Sequence, residues 1–305
     1  MFLAIWQKKD HTAVMRVSSV DVGSNAIRLV IVEIKPNGQW EQVKKFRAPL
    51  RLGTDVFKHR QLQPETILEL VDVFKKIAKL NKKHKVQKTI ALATSAMRDA
   101  KNKKSVISLV KKTSKIDLKI ITGQEEARLI RDAIIKSKSN HFSHSLLIDL
   151  GGGSAEITGL LKTKVLFSKS YPLGVVRLLS VVQQKKDLNK YCEKYLSKLK
   201  PVSKKYTFSV AVGTGGNFDA LAKLKLNLLK EAPQTHMSLK QLLEIQKHWA
   251  KLSHQKKLAL GLREDRIDVL PIAIQLILMI LKQFKIQHLK IPMTGLKEGS
   301  IHDLL

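Results

Sequence analysis

The chain has 305 residues, 44% of them hydrophobic, and sets 56 Lys and Arg against 25 Asp and Glu, a formal net charge of +31 at pH 7. That length favours two cores over one, and no apolar run reaches the roughly 18 residues of a membrane span. The single cysteine, Cys192, excludes an intrachain disulfide and a cysteine metal cluster, and fits a cytoplasmic protein.

The charge calls for a polyanionic partner. Residues 75–119 hold 15 Lys and Arg with two acids, and residues 185–205 hold eight with two. Aromatic residues, 5% of the chain, are not interleaved with these runs, which disfavours a nucleic acid held by base stacking.

Residues 1–15 read as an N-terminal extension, or as a mis-start upstream of Met15; their apolar start precedes the charges, the reverse of a secretory signal. VSSVDVGSNAIRLVIVEI (17–34) predicts strand, tight turn, strand, and 43–57 predicts extended segments with a turn. An amphipathic helix follows from Pro64 to His84. KTIALATSA (88–96) is a strand ending in small polar residues, 101–115 a helix, and LKIIT (118–122) a strand. GQEEARLIRDAIIKSK opens a helix with two acids in its first turn, where the helix dipole favours them.

The second half repeats the plan. LLIDL (146–150) is a strand, GGGS a turn, and 155–161 and 164–172 are further strands. A basic helix is expected over about 176–199, then a strand into the glycine turn VGTGG (212–216) and a helix. Helices follow at 236–253 and 268–284, and 289–305 reads as strand, turn and short terminal helix. Strands alternating with helices predict an α/β fold. The histidines of the His141–His144 spacing read as polar loop residues rather than metal ligands.

Two of the glycine turns match: V-D-V-G-S-N-A-I-R-L and I-D-L-G-G-G-S-A-E-I. Each strand ends on an aspartate, Asp21 or Asp149, and glycine follows two residues on, at Gly23 or Gly151. At the seventh position from the aspartate one has Arg28 and the other Glu156. The pattern suggests a duplication, with each half giving one turn to a shared cleft. Bare backbone at a turn lets N–H groups converge on phosphate oxygens. An aspartate beside such a cradle calls for a hard cation, and Mg²⁺ held by one or two carboxylates plus substrate phosphates is the usual one.

In order, D-V-G-S-N-x-x-R-L, A-T-S-A-M-R-D-A, T-G-Q-E-E-A-R-L-I, I-D-L-G-G-G-S-A-E, P-L-G-V-V-R-L, G-T-G-G, R-I-D-V-L-P and G-L-K-E-G resemble the exopolyphosphatase/guanosine pentaphosphate phosphohydrolase family, from about residue 17 to the last residue. The resemblance implies two ribonuclease-H-like domains of the actin and sugar-kinase superfamily around a cleft, and Mg²⁺-dependent hydrolysis of a terminal phosphoanhydride. It makes Glu126 the catalytic glutamate that orients or deprotonates water. It associates Asp149 and Glu156, with Asp21 in the first turn, with the metal. Gly23, Ser24 and Asn25 match the first phosphate loop and Gly151, Gly152, Gly153 and Ser154 the second. Arg28 and Arg98 match phosphate-binding arginines, and Gly213, Gly215 and Gly216 supply the third glycine turn. Arg177 reads equally as a cleft or a structural residue.

The expected first domain is 16–124, with the terminal helix at about 296–305 packing back on it, and the second is 125–295. Longer members of the family carry a further helical domain after this point. The expected substrate is inorganic polyphosphate, with guanosine pentaphosphate as the alternative and a non-catalytic sensor of the same fold as a third reading. Family members are often dimers, so a homodimer is the assembly to test.

Overall fold

The computed structural model describes residues 14–137, 143–184, 187–232, 235–292 and 295–302. The elements of the first half are β1 (Met15–Val22), β2 (Ile27–Ile34), β3 (Trp40–Ala48), α1 (Leu52–His59), α2 (Pro64–Lys83), β4 (Lys88–Ala93), α3 (Ser95–Asp99), α4 (Lys103–Ser114) and β5 (Leu118–Ile120). After α5 (Gly123–Lys136) come β6 (His144–Leu150), β7 (Ala155–Leu161), β8 (Lys164–Tyr171), α6 (Val175–Gln183), α7 (Leu188–Leu196), α8 (Lys200–Lys205) and β9 (Val210–Thr214). The remainder is α9 (Gly216–Asn227), β10 (His236–Ser238), α10 (Leu239–Lys251), α11 (His254–Ala259), α12 (Glu264–Ile267), α13 (Leu270–Gln283), β11 (His288–Lys290) and α14 (Leu296–His302).

The strands form two mixed sheets, ordered β3-β2-β1-β4-β5 and β10-β11-β9-β6-β7-β8. In each, an antiparallel meander of three strands is followed by parallel neighbours on the far side of its first strand. Strand for strand, β1-β2-β3-β4-β5 corresponds to β6-β7-β8-β9-β11, and β10 is an added edge. Even the irregularity recurs: the pairing of the second and third strands shifts register after Ile31 in one sheet and after Gly159 in the other. The fold is α/β, and the duplication read from the two turns extends to whole sheets.

Each sheet has its own core. Ile27, Leu29 and Ile31 meet Phe74, Ile77 and Val110 from α2 and α4 in the first. Ile148, Ile157 and Phe218 meet the apolar face of α13 in the second. The apolar stretch at 270–281 is thus a core helix, and no described helix is long and apolar enough to cross a membrane. Cys192 is buried in the second core, and burial pushes its thiol up to about 11, as an inert cysteine requires. Helix α14 returns to the first sheet, where Ile301 packs with Val17, Val30 and Val32 and the Ser300 and Ser19 hydroxyls lie 2.6 Å apart.

Two expectations need correction. The stretch 43–57 is not all extended, since α1 occupies Leu52–His59. The basic helix over 176–199 is two helices: α6 ends at Gln183, and Asp187 starts α7 by accepting a hydrogen bond from the Lys190 amide. Strand β1 begins at the Met15 noted in the sequence; residues 1–13 and His141 lie outside the described residues.

Candidate active site

Both glycine turns are built by the same hydrogen bonds. The Gly23 amide donates to Ala26 O at 3.2 Å and the Gly151 amide to Ser154 O at 3.1 Å. The next carbonyl of each turn accepts from the second residue of the helix that follows the third strand: Gly53 N to Ser24 O at 2.9 Å, and Val176 N to Gly152 O at 2.8 Å. Helices α1 and α6 thereby pack together, and the turns themselves meet. A Cβ on Gly153 would lie 2.5 Å from Ser24 Oγ and 2.6 Å from Ser95 Oγ, so only glycine allows this approach. The Ser24 hydroxyl also accepts from Ala96 N at 3.1 Å, which fixes α3 to the first turn.

Antiparallel pairing sets the seventh-position residue opposite each strand-end aspartate: Asp21 faces Arg28, and Asp149 faces Glu156. In the first pair, Arg28 Nη1 donates to Asp21 Oδ2 at 2.8 Å. Burial works against the Arg28 charge, but the Asp21 carboxylate, with Asp219 and Asp149 beyond it, holds that guanidinium above its ordinary value. The second pair is two acids, and a third joins them: Glu126, from the first turn of α5, lies so that Glu126, Asp149 and Glu156 each offer an oxygen within 4.8 Å of the others. Thr122 caps α5 through the Glu125 amide, which leaves Glu125 outward, paired with Lys119 at 2.9 Å, and Glu126 inward.

This acid trio has no internal neutralisation. Glu126 is held well above the ordinary carboxylate range by burial, then by Glu156 and Asp149, with Arg98 at 3.7 Å opposing. Burial and Asp149 push Glu156 up to about 8, although Ser170 Oγ donates to its Oε1 at 2.7 Å. Burial raises Asp149 to about 6 against a 2.6 Å hydrogen bond from Thr214. One oxygen each of Glu126 and Glu156 is buried without a hydrogen-bond partner. Orphaned carboxylate oxygens at this spacing fit a hard, oxygen-preferring cation, so the trio can hold a metal ion.

The structure brings most of the sequence-selected residues to one cleft. Asp21, Gly23, Ser24, Asn25, Arg28 and Glu126 line it from one side, and Asp149, the 151–154 turn, Gly215 and Gly216 from the other. Three placements differ from expectation. Asp21 does not join the trio, because Arg28 occupies it and Glu126 takes the third place. Gly213 lies inside β9, where its missing side chain makes room for the Phe218 ring, and is not part of the cleft wall. Arg98 stands behind Glu126, donating to Ile121 O at 2.7 Å. Gly215 adopts φ +89°, the left-handed region in which glycine is strongly preferred, beside Asp149.

Arg177 is a structural clamp. Its Nε donates to Gly153 O at 2.7 Å, its Nη2 to Ser95 Oγ at 2.9 Å and Asp99 Oδ2 at 2.7 Å, and its guanidinium lies over the Phe57 ring. A second clamp went unread in the sequence. Asp265 takes Asn25 Nδ2 at 2.8 Å and pairs with Arg47, while Arg51 reaches Asp268 at 2.5 and 3.0 Å. Between the clamps, Arg266 lines the cleft, buried, donating to Asn217 Oδ1 at 2.9 Å. Burial and the neighbouring Arg28 lower it to about 9. The alternating R-E-D-R-I-D at 263–268 is the sequence signal that could have marked this group.

A family model described as the Ppx/GppA phosphatase family matches residues 30–305. Exopolyphosphatase 1 of Mycobacterium tuberculosis is 30% identical over 164 residues, 54% of this chain and 48% of that protein. The guanosine-5'-triphosphate,3'-diphosphate pyrophosphatase of Vibrio campbellii is 24% identical over 297 residues, 94% of this chain and 59% of that protein. The chain spans about half the length of these curated relatives. Among solved structures, an exopolyphosphatase from Cytophaga hutchinsonii superposes with a TM-score of 0.85 at 26% identity, over 95% of this chain and 97% of that one. The Aquifex aeolicus Ppx/GppA family member gives 0.77 at 26% identity, over 96% and 98%. With its two actin-like sheets, its paired turns and a family match over most of its length, the chain belongs to the Ppx/GppA phosphatase family.

Proposed function

We propose that this chain hydrolyses the terminal phosphoanhydride of inorganic polyphosphate and releases orthophosphate. The observation that carries the reading is the convergence of Glu126, Asp149 and Glu156 beside the two glycine turns, with Arg28 on the facing wall. Mg²⁺ is the metal that suits two carboxylates and a phosphate substrate, and bound there it would neutralise developing phosphate charge. Asp149 and Glu156 would hold that ion. Glu126, raised by burial and by its neighbours, orients a water and accepts its proton, for which a raised carboxylate basicity is an advantage. Arg28 keeps its charge at any working pH and meets phosphate oxygens, and the 151–154 turn positions the terminal phosphate. Arg98 keeps positive charge behind Glu126.

The +31 charge favours a long polyanion in a cytoplasmic setting, as does the likeness to the Cytophaga exopolyphosphatase. A second reading, removal of the 5′ γ-phosphate of guanosine pentaphosphate, is favoured by the Vibrio relative, whose match runs along 94% of this chain. Phosphate release from long-chain polyphosphate and from guanosine pentaphosphate, measured in parallel with Mg²⁺ at two salt concentrations, separates them. Salt-sensitive release from polyphosphate alone is expected. Preference for the nucleotide would replace the lead reading with the second, and tight binding of either without turnover would make the chain a sensor. Size-exclusion chromatography with light scattering tests the homodimer.

A further inference from the structure

We infer that the cations where α1 meets the α3–α4 turn form a docking surface for the distal part of an extended inorganic polyanion, outside the cleft. The assignment of its physiological occupant rests on the polyphosphate reading above; the surface itself rests on the following contacts.

The Lys101 amide donates to Arg60 O at 2.9 Å. The Asn102 side chain accepts from Leu62 N at 3.1 Å and donates to Leu62 O at 2.9 Å. These bonds fasten the end of α1 to the turn before α4. They bring Lys58 and Arg60 beside Lys101 and Lys104, all four exposed. Acids in reach are already engaged: Asp99 binds Arg177 at 2.7 Å, and Asp55 accepts from the Gln63 amide at 2.9 Å. Among the described residues none of the four cations meets a carboxylate. The first turn of α4 carries no acid, so its lysines oppose the helix dipole as well as one another. Such a cluster does nothing for the fold and creates a strong local field for anions.

The surface is tied to the element that backs the active site. Lys103 Nζ donates to Arg98 O at 2.6 Å, and Arg98 stands 3.7 Å from Glu126. Helix α3 thus joins the cluster rigidly to the wall behind Glu126. The one aromatic residue of α1, Phe57, lies under the Arg177 guanidinium at 3.9 Å and offers no face to a base. That absence of a stacking platform favours a featureless phosphate chain over single-stranded nucleic acid.

The test compares two variants of equal charge change. One carries Lys58→Gln, Arg60→Gln, Lys101→Gln and Lys104→Gln; the control carries Lys240→Gln, Lys247→Gln, Lys251→Gln and Lys256→Gln on α10 and α11. Binding of end-labelled long-chain polyphosphate is followed over a salt titration, alongside tripolyphosphate and a single-stranded oligonucleotide. The surface variant is expected to lose about tenfold or more in affinity for the long chain at low salt. Its log–log salt slope should flatten by about 3, since each released contact contributes about 0.7–0.9. The control should lose less than about twofold, and tripolyphosphate affinity should not separate the two variants. Equal losses in both variants would reduce the effect to net charge, and a matching loss for tripolyphosphate would place these residues in the cleft; either overturns the inference. A larger loss for the oligonucleotide than for polyphosphate would also overturn it, in favour of a nucleic-acid surface. A wild-type protein that binds long polyphosphate in this pattern but releases no phosphate would refute the hydrolase reading alone.

Discussion

Asp21 faces Arg28 across β1 and β2 in the register in which Asp149 faces Glu156 across β6 and β7. Turn hydrogen bonds, following helices and even the register shift match between the halves. The charge of the seventh residue separates them. Where the seventh residue is arginine, the aspartate is neutralised and the turn presents positive charge. Where it is glutamate, the charges add, a third acid arrives from α5, and two buried oxygens lack hydrogen-bond partners. A duplicated scaffold has thus been divided into a wall suited to phosphate and a wall suited to a cation, with the same strand pairing and turn hydrogen bonds in both.

The largest effects should come from breaking the acidic half. Glu126→Gln is expected to lower phosphate release by about 10²–10⁴-fold, the usual range for removing a general base. The melting temperature of the metal-free protein should hold or rise, because a buried carboxylate crowded by Glu156 and Asp149, and opposed only by Arg98 at 3.7 Å, is replaced by a neutral amide. Loss of turnover together with a large fall in melting temperature would make Glu126 structural. Glu156→Arg sharpens the comparison by giving the second turn the residue of the first. It should abolish the thermal stabilisation by Mg²⁺ along with turnover; a retained Mg²⁺ response would remove Glu156 from the metal site.

Next comes contact between the turns. Gly153→Ala places a methyl group against Ser24 and Ser95 from the other half, where the Arg177 clamp resists separation. Overpacking of this kind costs about 1–3 kcal/mol, and denaturant melts should show it as a lower midpoint. Turnover should fall more than stability does, since the same displacement opens the cleft.

The pH response isolates the acidic half by a gentler means. Asp149 at about 6 and Glu156 at about 8 lie above their unfolded values, so the metal-free folded state binds more protons than the unfolded state across that interval. The stability contributed by their protonated forms is fully present below about pH 4, the unfolded carboxylate range. It is lost as pH rises through about 6 and then about 8. The metal-free melting temperature should therefore fall between pH 5 and pH 8, and saturating Mg²⁺ should raise it more at pH 8 than at pH 5. A metal-induced shift that is flat with pH would exclude proton release from these acids.

Much of this was readable in the sequence because it is local. A strand-end acid, a glycine two residues later and a returning strand lie within ten residues, so the turns, the cleft and the duplication are written contiguously. Glu126 was legible through Thr122 and the acids of a helix's first turn, though only the family resemblance separated it from Glu125. Helix α1 was missed because it is short and has Gly53 in its first turn, and it is held by packing on α3 and α6. The duplication itself could have supplied it, since a helix follows the third strand in the second half. The Asp265 clamp depends on pairs more than 200 residues apart, such as Asn25 with Asp265, and Arg266 reaches Asn217 in another element; the R-E-D-R-I-D run marks the group but names none of these partners. Gly213 misled for the opposite reason: its local pattern is that of a phosphate turn, but the space it leaves is filled by Phe218.

The smallest effect should come from the glycine that the first turn shares with the second. A Cβ on Gly23 would stand 3.2 Å from Ala26 O and 3.7 Å from Asp21 Oδ1, contacts a small backbone adjustment can absorb. Gly23 is also absent from the positive-φ residues, so alanine meets no left-handed strain there. Gly23→Ala should therefore change stability by less than about 1 kcal/mol, within the ordinary range for a substitution that neither buries a polar group nor overpacks. Its effect on turnover should be several-fold at most, confined to KM if the turn only cradles phosphate. A loss as large as that of Gly153→Ala would show that the first turn, too, tolerates nothing between its backbone and the substrate, and that the glycines of the two halves are kept for the same reason rather than for two different ones.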